Sequence, residues 1–134
     1  MILLCDEDVG TGIPKALTLV DCKAMSLRQL HMDGMSDIDW LAKAGENGWL
    51  VFSCNKKILK VPNERETIIR EKVGIVFLTN GQEYARRILK LILTKWDTLD
   101  LLWNTTERPF ARFLSSNGHL TDKYKDYRLL DVKG

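Results

Sequence analysis

Residues 1–12, MILLCDEDVGTG, decide how the rest of the chain is read. Met1 to Cys5 is an unbroken apolar run, and Asp6, Glu7 and Asp8 follow it directly. Such a run fits a strand buried on both faces, the habit of parallel sheets covered by helices. Three packed carboxylates repel one another and are costly to strip of water. The cluster is therefore either a solvated turn or the wall of a site that takes something cationic. Gly10 and Gly12 break the strand, and Pro14 suits the first turn of a helix over IPKALTLV.

The same alternation continues along the chain. A short strand is expected in KAMSLRQL, and Ser36 with Asp39 forms an S-x-x-D box opening a helix over SDIDWLAKAGEN. Gly48 ends that helix, WLVFSC is the next buried strand, and Pro62 opens a helix whose body is RETIIREK. GIVFLT is a third strong strand, closed by Asn80-Gly81. A long helix from Gln82 to Trp103 places Ala85, Ile88, Leu89, Ile92, Trp96, Leu99 and Trp103 on one stripe. FARFLSS, Asn117-Gly118 and HLT form a terminal hairpin, and DKYKDYRLLDVKG is expected to be a loosely held polar tail. The domain is thus expected over 1–120 and the tail over 121–134.

Strands alternating with helices imply a parallel sheet with both faces covered. Ligands of such sheets bind beyond the carboxyl ends of the strands, where the strand order reverses. The three strongest strands end on Asp6-Glu7-Asp8, Ser53-Cys54-Asn55 and Thr79-Asn80, so these endings are expected to line one polar crevice. A bound divalent cation then becomes a sensible reading of the acidic cluster.

Composition sets the outer bounds. The 134 residues suit one domain, and 45% apolar with 28% charged residues is ordinary for a soluble globular chain. A net charge of +2 exerts no global pull on nucleic acid, although a local basic patch is compatible with it. No apolar run approaches the roughly 20 residues that span a bilayer. MILLC is too short for a secretory signal, so a cytoplasmic protein is expected. Cys5, Cys22 and Cys54 have no CxxC spacing and read as reduced thiols beside the core. His31 and His119 have no ligand spacing to them, which disfavours zinc, and no recognisable base accompanies Ser53 or Cys54, which disfavours a triad hydrolase.

The succession of strand-Asp6, SDIDWL, GWLVFSCNKKI, PNERE and GIVFLTNG resembles the PIN-like nucleases, and in particular the small PIN-like toxins of VapC-type toxin–antitoxin pairs. The resemblance spans about residues 2 to 120. It implies a three-layer α/β fold, with a central, mostly parallel sheet flanked by helices and a C-terminal β-hairpin. It also implies an acidic pocket that binds Mg²⁺ or Mn²⁺ and cleaves RNA phosphodiesters. Residue by residue, the first-strand aspartate falls on Asp6, with Asp8 as support, and the acidic residue opening the second helix falls on Asp37. Asp39 follows on another flank of that helix and reads as part of its cap. The third acidic position falls on Asn55, whose amide can coordinate but adds no charge and cannot act as a base.

On this resemblance the catalytic set is Asp6, Asp37 and Asn55, and the metal set Asp6, Asp8 and Asp37. Lys56 and Lys57 would hold RNA phosphates, although a basic run is more often a plain solvated face. The partners implied are an RNA substrate and a cognate antitoxin. Leu91, Leu93 and Leu102 lie off the inner stripe of the long helix and suggest a homodimer. The alternative, kept open by Asn55, is a degenerate PIN-like module that binds RNA or protein without cutting. A response-regulator-like pocket fits less well, because no clear phosphoacceptor strand and partner lysine are present.

Overall fold

The apolar runs become the central strands of one sheet. The computed structural model describes residues 1–129. Its strands are β1 (Leu3–Cys5), β2 (Ala24–Ser26), β3 (Leu50–Ser53), β4 (Gly74–Leu78), β5 (Phe110–Leu114) and β6 (Leu120–Thr121). They lie in the order β2-β1-β3-β4-β5-β6. β2, β1, β3, β4 and β5 pair in parallel, and β6 returns antiparallel to β5 as the expected hairpin. The helices are α1 (Gly12–Leu19), α2 (Asp37–Asn47), α3 (Pro62–Arg70) and α4 (Ala85–Thr105). The α/β three-layer arrangement implied by the resemblance is the one found.

Period-two alternation divides each strand between two cores. Leu4, Val51, Ile75, Phe77 and Phe113 face one side, packed with Trp40, Leu41 and Ile68 from α2 and α3. Leu3, Cys5, Leu50, Phe52, Val76 and Leu78 face the other, with Ile13 and Leu17 of α1 and Ile88, Ile92 and Leu99 of α4. Phe77 and Phe113 stack at 5.5 Å on the first side. Both faces being dry is why β1, β3 and β4 read as continuous apolar runs rather than alternating ones.

Local signals set most boundaries. Ser36 caps α2 by accepting from the Asp39 backbone N–H at 3.2 Å, and Gly48 ends it in the left-handed region at φ 69°. α4 begins later than expected. Asn80 Oδ1 accepts from the Gln82 N–H and Asn80 Nδ2 donates to Glu83, which holds the chain in a turn up to Tyr84.

Two expectations are corrected. Leu91 and Leu102 pack against the second core instead of facing outward, and on α4 Leu93 and Leu101 remain exposed. Residues 122–129 do not hang loosely. Leu129 is buried, and Tyr124 and Tyr127 pack against the first core. Lys60 pairs with Asp126 and lies over the Tyr127 ring at 4.4 Å, while Arg65 donates to the Arg128 carbonyl. The aromatic residues of this stretch outweigh its polar composition. The remainder of the expected tail, 130–134, lies outside the described residues. Among the described residues no helix is long and apolar enough to cross a membrane.

Candidate functional site

The chain leaves β1 for β2 on one side and later enters β3 on the other, so the strand order reverses between β1 and β3. Parallel pairing of Cys5 with Phe52 brings the two strand ends level. Asp6 and Ser53 therefore emerge together, and the Ser53 hydroxyl donates to Asp6 Oδ2 at 2.9 Å. Asp6 Oδ1 accepts from the Glu7 N–H at 2.7 Å, capping a 3-10 turn over Glu7–Val9. That turn swings Asp8 back towards β3, where its carboxylate accepts from the Cys54 N–H at 3.1 Å. Glu7 is exposed.

α2 and α3 supply the other side. In parallel α/β units both helices start at the carboxyl edge of the sheet, and Asp37 is the first residue of α2. Asp37 Oδ1 accepts from the Trp40 indole N–H at 2.9 Å, which ties the carboxylate to a fully buried ring. Packing of α2 on α3 brings Glu64, in the first turn of α3, into hydrogen-bond contact with Asp37. Reading the sequence missed Glu64. The available signal was its place two residues after Pro62, in the first turn of a helix that leaves the same edge.

The electrostatics show how closely these groups stand. Burial pushes Asp6 up to about 6, and the charges of Asp8 and Asp37 add to the rise against the Ser53 and Glu7 hydrogen bonds. Asp8 is raised for the same principal reason, opposed by the Cys54 N–H. Glu64 is pushed up to about 7 by burial and then by its hydrogen bond to Asp37. Burial also raises the Cys5 and Cys54 thiols, to about 12 and about 11, which leaves no thiolate near neutral pH as nucleophile or soft ligand.

Several residues that follow β3 and β4 have partners of their own. Asn55 is half-buried beyond β3, and its backbone N–H donates to the Ser53 hydroxyl. Thr79 contributes its carbonyl to Lys56 Nζ at 3.2 Å, and the Asn80 side chain is spent in its own turn. Lys56, whose ammonium also lies 5.5 Å from the Tyr124 ring centroid, braces β4 and the C-terminal segment. Lys57 is exposed and Asp39 lies at the surface.

The donor set is hard oxygen, as Mg²⁺ and Mn²⁺ prefer. Among the described residues no three His, Cys, Asp or Glu side chains form a group that could hold a metal unaided. Mg²⁺ needs only one or two carboxylates and keeps several waters, so a pair drawn from Asp6, Asp8 and Asp37 fits that mode. Replacing Trp40 by Phe keeps the ring but removes the N–H to Asp37. It is expected to cost about 1 to 2 kcal/mol in urea unfolding. A loss of only a few tenths would mean that Glu64 alone positions Asp37.

No curated protein and no solved structure matches the chain. A family model described as the PIN like domain matches residues 1–80, which takes in β1 to β4 and Asp6, Asp8, Asp37 and Glu64. The chain belongs to the PIN-like domain family.

Proposed function

We propose that the protein is a metal-dependent endoribonuclease, the toxin of a toxin–antitoxin pair, with its acidic pocket at the β1/β3 junction as the active centre. The carrying observation is that Asp6 holds its proton up to about pH 6, chiefly through burial and then through the charges of Asp8 and, more weakly, Asp37. Carboxylates gathered under such mutual repulsion at a strand-order switch gain from a cation between them. Asp6 and Asp37 would hold Mg²⁺ or Mn²⁺, with Asp8 as a water-mediated contact. A divalent cation held by these carboxylates would supply an activated water and offset charge developing on the phosphoryl oxygens. Glu64 holds a proton near neutral pH, the range in which a general acid or base is most effective. Lys57 is free to meet a phosphate, whereas Lys56 is held in place by Thr79 and Tyr124. This reading also carries a small antitoxin as partner and a homodimer through the outer face of α4, where Leu93 and Leu101 are exposed.

A second reading, a PIN-like module that binds without cutting, is favoured by one observation. Asn55 brings no charge to the pocket, and no preformed three-ligand group is present among the described residues.

Asn55→Asp separates the two. In the nuclease it is expected to tighten Mn²⁺ binding about tenfold and speed cleavage of a generic single-stranded RNA, while lowering the melting temperature without metal. Glu7→Gln serves as the control and is expected to change none of these. Mn²⁺ binding without cleavage in either protein would establish the non-cutting module. No change in any of the three quantities would place Asn55 outside the site.

A further inference from the structure

Beyond the acidic pocket, the same edge of the sheet carries a second concavity, a groove of about 470 Å³ between α4 and the β5–β6 turn. Its floor is apolar, from Leu78, Ile88 and Leu91, and its rim carries Arg87, Lys90 and Lys95. Ser116 and Asn117 add hydroxyl and amide groups from the turn. Arg87 lies 3.8 Å from Glu83, the one carboxylate in the lining, whereas Lys90 and Lys95 enter no ion pair among the described residues. Two uncompensated ammonium groups over an apolar floor suit a ligand with phosphates and flat apolar faces.

The groove is built into the fold. Gly118 sits at φ +84°, where a side chain is strained, and a Cβ there would come within 2.7 Å of Lys95 Cε. The turn therefore gives the Lys95 stem its bed. β5 runs parallel to β4, so its turn opens at the carboxyl edge, where α4 also begins. β4 ends in the groove and β1 ends in the acidic pocket, two strand spacings or about 10 Å apart. Between them lie the end of β3 and the Thr79–Gly81 loop, whose Gly81 lies against Cys54.

We propose that this groove binds single-stranded RNA flanking the cleavage site, with Lys90 and Lys95 on its phosphates and a base against Ile88 and Leu91. The identity of the polymer rests on the nuclease reading. The groove's geometry and charge do not.

The test is fluorescence anisotropy of a labelled single-stranded RNA of about a dozen nucleotides, with the full chain in chelator so that nothing is cut. Lys90→Glu/Lys95→Glu is expected to weaken binding at least about tenfold and to flatten the salt dependence by the equivalent of about two phosphate contacts. Lys23→Glu/Lys72→Glu makes the same charge change just before β2 and β4, at the opposite edge, and is expected to change affinity less than about threefold. Equal losses in the two variants would show nonspecific charge attraction and overturn the proposal. So would an unchanged affinity in the Lys90/Lys95 variant with its thermal melt intact. Competition by polyglutamate that matches RNA in wild type and fails in the Lys90/Lys95 variant would also overturn it, by assigning the groove to an acidic polypeptide. If wild type with Mn²⁺ cuts no RNA but the selective loss of RNA affinity is found, the nuclease reading falls and the groove stands.

Discussion

Asp6→Asn is expected to reduce RNA cleavage by about a thousandfold or more while making the metal-free protein more stable at neutral pH. These opposite signs follow from one property. In the folded protein the Asp6 carboxyl is raised from its ordinary value to about 6, chiefly by burial and then by Asp8. Between about pH 4 and pH 6 the folded state therefore binds more protons than the unfolded chain. Stability of the metal-free wild type must fall as pH rises through that window and stay low above it. The variant has no charge to desolvate, so this dependence is expected to flatten. With solvent screening at a partly open site, the gain at pH 7.5 is about 1 to 2 kcal/mol.

Mn²⁺ is expected to reverse the trend for wild type. At about one hundred times its Kd, a cation bound only by the folded state contributes about 2.7 kcal/mol, or about 10 °C in melting temperature. Asp6→Asn is expected to lose most of that shift. Melting curves at pH 4.5, 6 and 7.5, with chelator and with Mn²⁺, check both halves. If Asp6→Asn lowered the metal-free melting temperature at pH 7.5 and left the Mn²⁺ shift intact, Asp6 would be a strut for Ser53 rather than a ligand.

Gly45→Ala is expected to be the most damaging small substitution in the scaffold behind the site. An added Cβ would stand 2.3 Å from the Glu71 carbonyl oxygen and 2.9 Å from Glu71 Cβ. The first is backbone at the end of α3, so no side-chain rotation relieves it, and α2 and α3 must separate. We expect a loss of about 2 to 4 kcal/mol in urea unfolding. Asp37 at the start of α2 and Glu64 at the start of α3 meet across this same packing, so the separation would also loosen that pair. Gly48→Ala is the reference. It meets nothing within 4 Å and bears only the strain of φ +69°, about 1 kcal/mol. If Gly45→Ala cost no more than Gly48→Ala, the α2–α3 spacing would be adjustable and would not set the geometry of the site.

What the sequence by itself determined is local or periodic. The apolar runs of β1, β3 and β4 follow from burial on two faces, and the ends of α2 follow from Ser36 and Gly48, because capping acts within a few residues. Asp6 was legible for a related reason, since a carboxylate straight after a buried strand must sit at a sheet edge. Only the tertiary structure decided which edges meet. The order β2-β1-β3-β4 sets Ser53 against Asp6, and that order depends on crossovers rather than on any one segment. Glu64 reads as an ordinary first-turn acid until α3 packs on α2 and presents it to Asp37. Lys56 reads as a free cation until Thr79 and Tyr124, 23 and 68 residues away, engage it. A side chain's charge is written in the sequence, but its solvation and its partners are set by distant segments, and these decide whether the charge is available for chemistry.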